Sequence, residues 1–183
     1  MAKDNINSKK GFTIIEVVLV LAIAGLIFLM VFVALPALQR SQRDTARRND
    51  LSRVDTSLTQ YQTNNQNTGN GDLPEASSLW TGVEDLSSNC STSACKFVQR
   101  YMNSGTDSTT NTFKDPDGTF YNLRIMDDVD TANDAVPTGN MDHTIYIVTG
   151  AKCKGEQVEQ DTPRHYAVLY RLEGAGIYCI DDQ

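Results

Sequence analysis

The sequence predicts an α+β protein: a long N-terminal helix whose second half packs against a mainly antiparallel β-sheet, with a disulfide-tied C-terminal region. Three observations carry that reading. Val17 to Leu38 is an uncharged run of twenty-two residues, the apolar residues Leu51, Val54, Leu58 and Tyr61 recur three and four apart, and the C-terminal third alternates short apolar runs with turn residues. The first fits a membrane-spanning helix, the second an amphipathic helix, the third a set of strands.

The helix comes first. About 20 apolar residues cross a bilayer core, so the run after Lys9, Lys10 and Gly11 is long enough to span. Glu16 stands at its head, and an acid inside such a segment costs roughly 2.5 to 3.5 kcal/mol at the helix centre, which calls for a partner or a function. A secretory signal has an apolar core of only about 7 to 15 residues and a small-residue cleavage site, whereas this core is longer, carries Glu16 at its start and ends in a polar helix pattern. A plain anchor explains the run but not Glu16. If the chain were cut between Gly11 and Phe12, the new amine of Phe12 would lie four residues before Glu16 on the same helix face. That amine could neutralise its own Glu16 or the Glu16 of a neighbouring parallel helix.

No Gly or Pro falls between Ala37 and Thr68, so one helix is expected from near Phe12 to about Asn64, interrupted or kinked at Pro36 and about 80 Å long. The stripe from Leu51 to Tyr61 should face a core. Beyond it, NNQNTGNGDLPEASS ends the helix and NSGTDSTTNT forms a second polar loop. Between them Phe97, Val98, Tyr101 and Met102 predict a short helix after Ser93 that stops near Gly105. The Asp115 to Gly118 segment, DPDG, is a turn signal followed by a period-two strand through Tyr121, Leu123 and Ile125. Further strands are expected at Thr144 to Thr149, Tyr166 to Leu172 and Gly176 to Ile180, the last two joined over Glu173, Gly174 and Ala175.

Charge is unevenly spread. The chain has a formal net charge of −7, but from Asp50 onward nine Lys and Arg face twenty Asp and Glu, a net of −11. Such a domain lacks the basic surface that neutralises phosphates, so direct nucleic-acid binding is not expected. Arg40, Arg43, Arg47 and Arg48 precede it, suited to acids of a neighbouring subunit or to anionic lipid headgroups. With Arg53 they outnumber Lys3, Lys9 and Lys10 on the leader side, and the positive-inside rule taken alone would place the arginines in the cytoplasm.

Cys90, Cys95, Cys153 and Cys179 are an even number, and disulfides are the default for an exported domain. Of three connectivities, Cys90 with Cys95 and Cys153 with Cys179 is favoured, the first as a local pair and the second as a tie between strands. No metal site and no cofactor are expected: His143 and His165 lack ligand-like spacing, and Cys90 and Cys95 lack a close second pair. Asp127, Asp128, Asp130 and Asp134 are read as a solvated acidic loop, because they lack the glycine and terminal glutamate of a calcium-binding EF-hand loop. There is no phosphate-binding glycine loop and no nucleophile in a recognisable setting, so an enzyme is not expected.

The N-terminal pattern resembles that of the type IV prepilins and the related secretion and competence pseudopilins: Lys9, Lys10, Gly11, then Phe12, Thr13, Ile14, Ile15, Glu16 and the apolar run. RDTARRNDLSRV and the Asp-Pro-x-Gly turn are also similar to segments of such proteins. The resemblance implies a pilin fold with a cleaved leader over 1–11, a transmembrane and filament-core helix over 12–38, its amphipathic continuation over 39–64 and an extracytoplasmic globular domain over 65–183. It implies processing at Gly11 and Phe12 by a prepilin peptidase, N-methylation of Phe12, and use of Phe12 and Glu16 in subunit docking. The partners implied are other pilin subunits, the inner-membrane assembly machinery and the membrane before assembly. The cytoplasmic membrane would hold the single-pass precursor, and an extracellular filament the assembled form. The expected function is that of a structural subunit of a pilus serving adhesion, twitching motility or DNA uptake. A minor pilin acting as an adhesin, or a pseudopilin of type II secretion or competence, is the alternative. In that family the helix-breaking proline falls about three residues before Pro36, where this chain has Val33.

Overall fold

A computed structural model describes residues 11–65, 73–80, 93–102, 113–136, 142–174 and 176–183. The expected leader lysines, Cys90, Gly105, residues 66–72 of the first polar loop and all of the second lie outside the described residues. The chain divides into two units, Met1–Gln39 and Arg40–Gln183. Helix α1, Ile14–Asn64, contributes to both.

In the first unit α1 is apolar all round, and no described residue of the unit covers it. Its best eighteen-residue window has a mean hydropathy of 3.2 with none of it buried, and Phe12, Ile14 and Phe32 are almost fully exposed. A helix of that kind is at equilibrium only in lipid or among other helices. The expected interruption at Pro36 is not observed: Pro36 lies inside α1, which is helical on both sides of it. Proline removes one backbone hydrogen bond but not the helical dihedrals, so a membrane helix tolerates it.

The second unit is a sheet covered on both faces. Its five strands are β1 (Ser77–Trp80), β2 (Asn122–Met126), β3 (Thr144–Thr149), β6 (Tyr166–Arg171) and β7 (Ile177–Asp181), in the spatial order β1-β2-β3-β6-β7. All neighbours are antiparallel except β2 and β3, which run parallel with Asn122 opposite Thr144 and Met126 opposite Val148. A parallel pair needs a crossover, and helix α3 (Val129–Ala135) lies in it. A separate hairpin, β4 (Ala151–Lys154) and β5 (Gln157–Gln160), turns through Gly155 at φ 68°, a left-handed conformation that glycine adopts without steric cost.

One face of the sheet presents Leu123, Ile125, Ile145, Ile147, Tyr166, Val168 and Tyr170 to Leu51, Val54 and Leu58 of α1. The predicted stripe is therefore the core side of the helix. Helix α2 (Ser93–Phe97) and the π-helical turn Val98–Met102 add Phe97, Val98 and Met102 to the same core, with Tyr61, Phe97 and Tyr101 in mutual ring contact. The other face presents Met126, Tyr146, Val148, Ala167 and Leu169 to α3 and the β4–β5 hairpin. Burial on both faces explains why β3 and β6 read as continuous apolar runs. Cys153 and Cys179 are disulfide-bonded with Cα atoms 5.8 Å apart, tying that hairpin to β7. Closing this loop contributes on the order of 3 kcal/mol. Cys95 is also disulfide-bonded.

Candidate functional site

At the start of α1 the sequence Thr13-Ile14-Ile15-Glu16 forms a reciprocal cap. The Thr13 backbone N–H and hydroxyl both donate to Glu16 Oε2, at 2.9 and 2.8 Å, and the Glu16 N–H faces Thr13 Oγ1 at 3.4 Å. This is a capping box: the acid satisfies a backbone donor that the helix itself cannot. Among the described residues the cap bonds go to Oε2, which leaves Oε1 to face a cation. Phe12 stands just outside the first turn and is 90% exposed, and Gly11 has open space around its Cα. The Gly11–Phe12 junction is thus sterically accessible and sits directly beside the acid.

A second polar centre lies in the globular unit. The apolar stripe of α1 continues towards the N-terminus at the same three-and-four spacing through Arg47 and Asp44, which are buried although charged. Arg47, 1% exposed, donates from Nε and Nη2 to Asp115 Oδ2 and Oδ1 at 2.7 and 2.9 Å, and from Nη1 to Asp44 Oδ1 at 2.9 Å and Glu173 Oε2 at 3.3 Å. Asp44 in turn accepts the backbone N–H groups of Glu173 and Gly174, both at 2.9 Å. Tyr170 donates its hydroxyl to Asp115 at 2.9 Å, and Arg43 holds Glu173 with two bonds of 2.8 and 2.7 Å. The helix, the DPDG turn and the β6–β7 connection are thereby fastened at one point.

The protonation states follow from that geometry. Burial alone pushes the Asp115 carboxyl up, but the bonds from Arg47, the Asp117 amide and Tyr170 outweigh it and bring it below the usual value. Burial likewise opposes the Arg47 charge, and Asp115 and Asp44 more than restore it. The bonds from Arg43, then Arg47, bring Glu173 from 4.5 to about 2.

No curated protein and no solved structure matches the chain, but residues 6–32 match a family described as the prokaryotic N-terminal methylation motif. That motif is the class III signal of type IV pilins, here followed by an apolar helix. The N-terminal segment thus carries the methylation motif found in type IV pilin-like and pseudopilin-type proteins, which supports that class for the chain. The matched segment takes in Gly11, Phe12, and the Thr13 and Glu16 that build the cap.

Other expected features of the chain fall into place differently. Arg47 is buried and engaged within its own unit, so of the four arginines expected to meet a neighbour's acids or lipid it is withdrawn, while Arg43 is held by Glu173 and stays partly exposed. Arg48 is exposed and lies over the Tyr178 ring at 5.2 Å. The four acids after β2 do not form a loop: Asp128 caps α3, accepting the Thr131 N–H at 2.9 Å, and Asp130 occupies its first turn. Acids are favoured there by the unpaired N–H groups and the helix dipole. Sequence reasoning missed the Arg47 centre; the signal available was the unbroken spacing 44, 47, 51, 54, 58, 61.

The depressed carboxyls predict acid behaviour. A carboxyl whose folded value lies below its unfolded one adds stability at higher pH, lost as pH falls through the folded value. Glu173 and Asp115 act in that sense, while burial of Asp50 raises its carboxyl and opposes them. Acid titration followed by near-ultraviolet circular dichroism should therefore show the loss due to Glu173 between 4.5 and about 2. Glu173→Gln should flatten the slope there; an unchanged slope would contradict the assignment.

Proposed function

We propose that this chain is a structural subunit of a type IV pilus that polymerises through α1. The observation that carries the reading is the capped Glu16 beside an accessible Gly11–Phe12 junction, at the head of an apolar helix surface that its own unit leaves uncovered. Cutting after Gly11 by a prepilin peptidase on the cytoplasmic side creates an amine at Phe12, subsequently N-methylated. Glu16 Oε2 remains on Thr13, and Oε1 receives that amine from its own helix or from a neighbour displaced along the axis. Until then α1 anchors the precursor in the cytoplasmic membrane; afterwards it is covered by other copies of itself. The inner-membrane assembly machinery delivers subunits to the growing filament, and the acidic globular unit faces outwards. Its role in that filament is structural rather than enzymatic.

Electron microscopy of a deletion strain tests the proposal. Loss of surface filaments, restored by the intact gene, is the expected result. Normal filaments with lost adhesion would instead favour a minor, binding subunit, and a secretion or competence defect without surface filaments would favour a pseudopilin.

A further inference from the structure

The Asp115–Gly118 turn beside His143 holds a pair of groups that filament assembly does not use. The turn is closed by the Gly118 N–H donating to the Asp115 carbonyl at 2.8 Å, with Gly118 at φ 93°. Within it, Asp117 Oδ1 accepts the Thr119 N–H at 2.9 Å and also the Thr119 hydroxyl, which fixes the carboxylate and turns Oδ2 towards the imidazole. A hydroxyl has one proton. Since Thr119 gives it to Asp117, its oxygen accepts from His143 Nδ1, 3.2 Å away.

Nδ1 therefore carries the proton, and in the neutral ring Nε2 has a lone pair. That lone pair lies 3.5 Å from Asp117 Oδ2. Two acceptors face each other, and a cation between them satisfies both. Ligands held at about 2.0 to 2.1 Å by a tetrahedral zinc ion stand about 3.3 to 3.4 Å apart, close to the spacing found.

Asp115 does not act as a direct ligand. Its oxygens already accept from Arg47 Nε, Arg47 Nη2, the Asp117 N–H and the Tyr170 hydroxyl. It stands 3.8 Å behind His143 Nδ1, beyond hydrogen-bond reach, where its negative charge favours the Nδ1 proton that Thr119 accepts. Among the described residues His143 is also the one non-glycine with positive φ, at 54°, and its carbonyl accepts the Asn122 N–H at 2.8 Å, so β2 holds the ring's backbone in place. Apart from the largely exposed Arg40, the cations Arg43 and Arg47 pair with Asp44, Asp115 and Glu173, and Asp117 beside His143 is a fourth carboxylate. A divalent ion offsets the remaining two negative charges.

We propose that His143 Nε2 and Asp117 Oδ2 bind a borderline divalent ion of the zinc type, with the Thr119 hydroxyl oxygen orienting the histidine and Asp115 supplying a negative charge behind it. Imidazole and carboxylate suit such an ion. Its other positions open onto a cleft lined by Arg43, Pro116 and Glu173 and are filled by water.

Isothermal titration of the full chain in detergent micelles with Zn²⁺ alone tests this. One ion per chain should bind. His143→Asn, which keeps a side chain tolerant of positive φ, and Asp117→Asn should each weaken binding by about tenfold or more. His165→Asn, altering the chain's other histidine, should leave it unchanged. Absence of binding by the folded intact chain, or equal binding by the His143 variant, would overturn the proposal. So would loss of binding in the His165 variant alone. Circular dichroism of each variant separates lost ligands from lost folding.

Discussion

Replacing Arg47 by methionine is expected to destabilise the globular unit by about 3 to 5 kcal/mol, the loss typical of stranding a buried charge. Asp115 has lost most of its solvent and Asp44 nearly as much; without the guanidinium they keep only Tyr170 and three backbone N–H groups as donors. Methionine follows the arginine stem but supplies no donor, so the effect isolates the charge rather than the volume. Denaturant unfolding of the full chain in micelles measures it. The double variant Arg47→Met, Asp115→Leu should recover part of the loss, because removing both partners leaves no uncompensated charge at the pair. Arg43→Ala should cost far less, since its partner Glu173 remains partly solvated. A loss under about 1 kcal/mol for Arg47→Met would show that water or rearranged side chains replace the guanidinium.

Glu16→Ala should leave membrane insertion and leader cleavage intact while abolishing or severely reducing filament assembly. Insertion depends on the apolar run, which alanine lengthens. Assembly depends on the acid in the proposed docking, where the Phe12 amine needs a counter-charge in a low-dielectric surround. Loss of the Thr13 cap is a separate and smaller effect, about 1 kcal/mol on the first turn. Glu16→Gln distinguishes the two, because glutamine keeps the reciprocal cap but has no charge. Membrane fractionation reports insertion, and sheared-filament yield reports assembly. If Glu16→Gln assembles normally while Glu16→Ala does not, Glu16 acts through the cap and not as a docking charge.

Much of the fold is written in hydrophobic spacing. Leu51, Val54, Leu58 and Tyr61 announce the core side of α1, and the runs at 144–149 and 166–171 announce the central strands. The Arg47 centre is invisible to that criterion, because Asp44 and Arg47 occupy core positions with charged side chains. Their burial is understandable only once Asp115 and the Glu173–Gly174 amides, distant in sequence, arrive beside them. The β4–β5 hairpin is hidden for a related reason: its residues are mostly polar, and its place is fixed by the Cys153–Cys179 bond and by Val158 under α3. Helix α3 is short and acid-rich, so its N-terminal carboxylates resemble a solvated loop until Asp128 is seen to cap it.

The site divides in the same way. Gly11, Phe12 and Glu16 are close in sequence, and the roles proposed for them are legible there because the chemistry is local. His143 and Asp117 are separated by a strand and a crossover, and only the parallel pairing of β2 with β3 brings His143 to the turn. Spacing along the chain carries no trace of that contact.

The central claim is that the chain is cut before Phe12 so that a new amine can meet Glu16. Intact mass of the protein recovered from sheared surface filaments tests it most directly. The predicted species has lost residues 1–11, gained one methyl group at the amine, and lost two hydrogens for each disulfide formed. A chain that retains the leader, or begins anywhere other than Phe12, would contradict the claim.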